Sequence, residues 1–189
     1  MNDSVSDFGL GETIRGQNDD AIDINTALDG REYTFPVTAA VATAAGMHNR
    51  TVGRRVTARI LRNKTGGTLA AGEIVVLDID GGHAGLGKAD AKSSAGDRCC
   101  LVVDPSLGSS SVADNDLFLA IVKGPTKIKQ PASAVSLSAG GQIRAGASGR
   151  LAGVTEATLA HQVASLGTVV KADSTNNGLV EVELNPQWV

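Results

Sequence analysis

The sequence predicts an all-β fold: a compact barrel or sandwich of about nine short strands, preceded by an extended N-terminal arm with at most one short helix. Three observations carry this reading. Short apolar stretches recur at close intervals, separated by clusters of Gly, Asn, Asp and Ser, the punctuation of a small barrel or sandwich. Glycine is abundant, at 23 of 189 residues, which suits a chain of tight turns. Aromatic residues make up 3% of a chain that is 42% hydrophobic, so the core is built from Ala, Val, Leu and Ile.

Residues 1–35 are polar and acidic, with no persistent helical or alternating pattern, and bury too little apolar surface to fold alone. Within "FPVTAAVATAAGMHN", the Ala-rich run from Val37 to Ala45 predicts about two helical turns ended by Gly46. From Val52 the character changes. In "RRVTARILRN", Val56, Ala58 and Ile60 share one face and Arg55, Thr57 and Arg59 the other. "NKTGGTLAAG" is turn chemistry, and "EIVVLDI" follows as a strand. "RCCLVVD", "DLFLAIVKG", "TKIKQ", "AVSLS", "QIRAG", "GRLAG", "LGTVVKAD" and "GLVEVEL" read as the remaining strands. In the last, Val180, Val182 and Leu184 make a dry face and Glu181 and Glu183 a wet one. Residues 154–167 are the one other helix candidate, a long loop being the equal alternative.

Charge divides the chain in two. Residues 1–50 hold eight acidic and three basic residues, a net of −5; residues 51–189 hold twelve acidic and fourteen basic, a net of +2. The expected organisation is an extended acidic arm over 1–50 and a β-barrel body over 51–189. The overall charge of −3 carries no signature of nucleic-acid binding. No apolar run approaches the roughly 20 residues of a membrane helix, and the N-terminus lacks the pattern of a signal peptide. Cys99 and Cys100 are adjacent, so on a strand they point to opposite faces and are poorly placed to pair with each other.

Catalytic signatures fail one after another. "GGHAGLGKAD", from Gly81 to Asp90, imitates a phosphate-binding loop, but Ala89 stands where a Ser or Thr must ligate Mg²⁺. No helix follows to face its N–H groups to a phosphate, so the segment reads as a Gly-rich connection between two strands. His48, His83 and His161 are too scattered for a metal pair. "DIDGG" begins like a calcium loop and lacks its later ligands. "GASGR" sets its serine wrongly for a nucleophile elbow. Asp114 and Asp116 read as solvated turn residues. No catalytic residue, cofactor or metal is expected. The one notable cluster is basic: Arg54, Arg55, Arg59, Arg62 and Lys64, in a segment with neither an acidic nor an aromatic residue. Single-strand binders add aromatic stacking platforms, so a solvated strand face or ionic contact with an acidic protein partner fits better. The acidic leader of a neighbouring copy is one such partner.

The order of the turns resembles a known family. "RILRNKTGGTLAAGEIVVLD" (59–78) is similar to the opening hairpin of the small β-barrel proteins that decorate or cement the capsids of tailed bacteriophages. "VADNDLFLAIVKGPTKIK" (112–129) resembles their middle element, in which a Gly follows a strand and a short second strand returns. "LSAGGQIRAGASGRLAG" (137–153) and "LGTVVKADSTNNGLVEVEL" (166–184) resemble a hairpin pair and the closing strands. The resemblance spans about residues 52–186 and leaves the leader unmatched. It implies a structural virion protein, made in the host cytoplasm, that binds the outer capsid surface and bridges neighbouring major capsid proteins, often as a homo-oligomer. It implies no nucleic-acid or membrane partner and no catalytic residue. The alternative is a tail or fibre β domain that contacts the host or its glycans.

Overall fold

The computed structural model describes residues 10–11, 13–14, 30–78, 88–131, 137–154, 165–171 and 178–185. Among them lie thirteen strands, one α-helix and three short 3-10 turns, so the chain is all-β. The expected strand "AVSLS", the helix candidate at 154–167 and the glycine loop before Lys88 fall wholly or largely outside the described residues.

Five strands close a ring. β3 (Arg55–Asn63), β5 (Ile74–Leu77), β6 (Lys88–Lys92), β7 (Cys100–Val103) and β9 (Leu117–Lys129) are hydrogen-bonded in the circuit β3–β6–β5–β7–β9–β3. Four junctions are antiparallel, and the β3–β6 junction is parallel, with Arg62 opposite Lys88 and Asn63 opposite Ala89. Closure of the ring removes its free edges. Leu61, Val75, Leu77, Ala89, Leu101, Val103, Phe118, Ala120 and Val122 turn inward as one cluster, joined by Leu69, Leu107 and Val112 from the connecting segments. Truncating one of the larger of these, such as Leu101, to Ala costs about 2–5 kcal/mol.

The alternate side chains of the same strands are buried too. Val56, Ala58, Ile60, Ile74, Cys100, Val102, Leu119 and Ile121 form a second cluster outside the ring. A sheet covers it, ordered β11 (Leu151–Gly153), β10 (Gln142–Ala145), β12 (Ser165–Lys171), β13 (Leu179–Leu184) and the far half of β9. It contributes Ile143, Leu151, Leu166, Val169, Val180 and Val182 to this core. Strands buried on both faces read as unbroken apolar runs, which is why "IVVL", "CLVV" and "LFLAIV" show no alternation. The fold is thus a barrel with a sheet packed on it, where barrel and sandwich were the expected alternatives.

β9 belongs to both layers and corrects one expectation. "DLFLAIVKG" and "TKIKQ" are not separate strands with a return at Gly124; they form one strand of 13 residues. Its near half pairs with β3 and β7, and its far half with β13 along Gly124–Lys129. The change of partner occurs at a bulge: Thr57 faces Lys123 while Ala58 faces Ile121. Gly124 adopts φ +104, and a Cβ there would stand 2.5 Å from the Arg55 carbonyl oxygen. The bend therefore requires glycine.

The boundary expected at residue 50 is also corrected. β2 (Glu32–Pro36) pairs with β3 from Glu32–Arg59 to Pro36–Arg55. The expected helix is α1 (Ala39–Ala44), capped by Thr38, whose Oγ1 accepts the Val41 N–H at 3.2 Å. Val37, Ala42, Ala45 and Met47 enter the second core cluster. Residues 30–50 therefore belong to the body: charge composition marks an acidic stretch, but these apolar residues decide what is buried. Further upstream, β1 (Thr13–Ile14) pairs with Phe118 and Leu117 of β9. The two remaining strands, β4 (Leu69–Ala70) and β8 (Ser111–Val112), form a small separate ladder.

Candidate partner-binding surface

The five basic residues do not form one patch. Arg55 and Arg59 lie on one face of β3 and Arg62 on the other. Arg54, just before the strand, makes a bidentate contact with Glu183 at 2.7 and 2.8 Å. Arg59 reaches across to Glu32 on β2, with Nε 2.9 Å from the carboxylate, and is mostly buried. Arg62 is buried and donates to the Asn115 carbonyl at 3.0 Å. Lys64 bonds the Asn115 side chain. Arg55 is exposed and has no hydrogen-bond or ion-pair partner among the described residues. Four of the five thus tie segments of the same chain together; the exposed ion pair of Arg54 with Glu183 contributes about 0–1 kcal/mol.

The acidic side chains behave in the same way. Glu181, expected on a wet face, is 3% exposed, because the segment after α1 folds over β13 and the His48 N–H donates to its carboxylate at 3.2 Å. Glu73 is buried between Lys92 at 2.8 Å and Lys129 at 3.5 Å, and also accepts the Ala70 N–H. Burial alone raises its pKa; the Lys92 hydrogen bond, the Ala70 N–H and the two positive charges outweigh this and hold it below the ordinary carboxylate value. Since β6 and β9 meet at this carboxylate, Glu73 fastens the far half of β9 to the ring. Asp104 is 1% exposed and accepts N–H groups from Ser106 at 2.8 Å and Gly11 at 2.5 Å. Burial pushes its carboxyl up against the pull of those two donors.

Asn63 is the most fully used polar side chain. It is completely buried at the end of β3, and its amide donates to the carbonyls of Gly67, Val112 and Ala113 at 2.7, 3.2 and 2.9 Å. Its oxygen accepts from the Thr65 N–H and hydroxyl at 3.1 and 2.8 Å. One amide thereby joins two loops at the ring's end. The "NKTGG" turn signal locates this Asn, whereas its partners from residues 112 and 113 are visible only in the fold. Asp104 similarly carries a local signal, since Asp-Pro caps a 3-10 turn (Pro105–Leu107), but its bond to Gly11 spans 93 residues.

The other candidates take structural places. Asp114 accepts the Gly66 N–H and Asp116 the Ala113 N–H, both at 3.3 Å, so each fixes a turn. Ser148 sits exposed in a 3-10 turn (Ala147–Gly149) between β10 and β11. His48 Nδ1 accepts the Arg50 N–H at 3.1 Å, while His83 and His161 lie outside the described residues. Lys88 and Ala89 open a strand beside β3. Among the described residues no group of three or more His, Cys, Asp or Glu could hold a metal ion. Cys100 is buried, and desolvation, followed by the fields of Asp97 and Cys99, pushes its thiol up to about 12. What the described residues offer is surface on a tied, double-cored body. Compared with known proteins, the chain matches no family model and no curated sequence.

Proposed function

We propose that the chain is a structural virion protein that binds the outer surface of a bacteriophage capsid and stabilises it by bridging neighbouring major capsid proteins. The observation that carries the reading is the use of its polar side chains. Arg54, Arg59, Glu73, Lys92, Asp104 and Asn63 each hold one segment of the chain to another. A cement needs a body that keeps its shape while it is pulled from several sides. A closed ring sharing a strand with a covering sheet answers that need, because neither layer can leave without breaking β9. The resemblance of the turns at 59–78, 112–129, 137–153 and 166–184 to capsid decoration proteins supplies the partner. Weak contacts repeated over a capsid lattice then add through multivalency.

Co-sedimentation tests the reading. Purified chain mixed with undecorated capsids of its phage is expected to pellet with them in a saturable ratio, and to be present in purified virions. A chain that stays in the supernatant and is absent from virions refutes it.

A further inference from the structure

Residues 48–54 lie across the outer face of β13. On that strand Val180 and Val182 face the core, so Glu181 and Glu183 are directed to the opposite side. The His48 N–H donates to Glu181, and Arg54 grips Glu183. These two contacts hold the ends of the segment over neighbouring positions of one strand face, about 7 Å apart. The corner between them is tied down at several points. The Thr51 N–H and hydroxyl both donate to the His48 carbonyl, at 2.9 and 2.7 Å. The Gly53 N–H donates to the Val37 carbonyl at 2.9 Å and the Arg54 N–H to the Thr51 carbonyl at 3.0 Å. Thr51 is buried, whereas Val52 is left outside, 43% exposed.

The neighbouring strand β12 brings a second valine to the same place. Thr168 pairs with Glu183 and Lys171 with Glu181, and the register shifts between Val169 and Lys171. Val169 lies in the core beside Val182, while the extra residue, Val170, is 47% exposed. Among the described residues Val52 and Val170 are the two large hydrophobics that are exposed. Single exposed valines need no explanation, but each of these is bracketed by contacts to the same two glutamates. The charge around them is one-sided. Glu181 is buried and Glu183 is held by Arg54. Arg50, Arg55 and Lys171 are exposed and have no ion-pair partner among the described residues.

We infer that this surface, Val52 and Val170 framed by Arg50, Arg55 and Lys171, docks an acidic segment of a partner protein that sets an apolar side chain among its carboxylates. An apolar centre with a polar rim is the anatomy of a protein interface, and a rim of unmatched cations is complementary to carboxylates. A nucleic-acid backbone would satisfy the cations and leave the valines uncovered. The hydrogen bonds within the corner hold Val52 in place before the partner arrives, which lowers the ordering cost of binding. The partner's identity rests on the capsid reading, in which the acidic segment belongs to the major capsid protein.

Co-sedimentation with undecorated capsids at low salt separates the docking surface from the reading it rests on. Val52→Asp, Val170→Asp and the double variant Arg50→Glu/Arg55→Glu alter exposed side chains, so each is expected to keep the wild-type urea midpoint. Each is expected to weaken capsid binding about tenfold or more, and wild-type binding is expected to weaken as salt rises. Arg98→Glu makes the same change of charge in the turn before β7, which pairs with neither β12 nor β13, and should bind as wild type does. Capsid binding that all three variants retain overturns the docking surface and leaves the capsid reading standing. A wild type that never pellets overturns both together. A fluorescent duplex oligonucleotide that binds the wild type, and is lost by Arg50→Glu/Arg55→Glu but kept by Val52→Asp, overturns the protein partner in favour of nucleic acid.

Discussion

Replacing Gly124 by alanine tests the shared strand that unites the two layers. The residue sits at φ +104, and its Cβ would meet the Arg55 carbonyl oxygen at 2.5 Å and the Val56 Cα at 3.2 Å. Forcing a side chain into that backbone region costs about 1–3 kcal/mol. Relieving the clash requires β3 and β9 to separate where their register shifts, another 1–3 kcal/mol or so by analogy with overpacked cores. Together these amount to about 4 kcal/mol, or a fall in Tm of about 8–16 °C for a domain of this size. Gly53 supplies the control. It also has positive φ, at +86, but nothing lies within 4 Å of its Cβ position, so Gly53→Ala carries the backbone penalty without the clash. Urea denaturation of both variants measures the difference, expected at about 1–3 kcal/mol. Equal destabilisation, or a Gly124→Ala chain as stable as wild type, refutes the continuous bent strand.

Asn63→Asp removes the amide donor and turns a carboxylate toward the carbonyls of Gly67, Val112 and Ala113; a loss of about 3 kcal/mol or more is expected in the same denaturation assay. Glu73 has a lowered folded pKa, so its contribution is fully present above the unfolded value of 4.5 and lost as pH falls through the folded value. Glu73→Gln is therefore less stable than wild type near neutrality, and the gap narrows in acid; a gap independent of pH contradicts the ion pairs. Asp104 runs the other way: its raised folded pKa gives stability present below 3.8 and lost as pH rises through the folded value. Asp104→Asn should gain on wild type between acid and neutral pH in parallel urea titrations. The Cys100 thiol, pushed up to about 12, should resist an aromatic disulfide reagent near pH 8 in the folded chain and react in denaturant.

The fold class was legible because tight turns and apolar runs are local properties. The stretch Val56, Ala58, Ile60 showed one shared face, which is buried under the covering sheet, and the run from Val37 to Ala45 showed the helix that forms over Ala39–Ala44. Ring closure was not legible: it depends on β3 meeting β6 in parallel and β9 in antiparallel, and neither register is written in a local pattern. Gly124 misled for a physical reason, since a glycine ends a strand or bends one and the sequence alone does not distinguish the two. Net charge misplaced the body's edge, because Glu32 is acidic yet is held by Arg59 on the neighbouring strand. The basic cluster was visible as composition, but its division among Glu183, Glu32 and Asn115 arises from strand pairing and loop packing.

Heating capsids with and without the chain tests the proposed role most directly. Undecorated capsids of the phage are titrated with purified chain, and release of packaged DNA is followed against temperature. The account predicts that the release temperature rises with added chain and levels off when binding saturates. A release temperature that does not move at any ratio contradicts it.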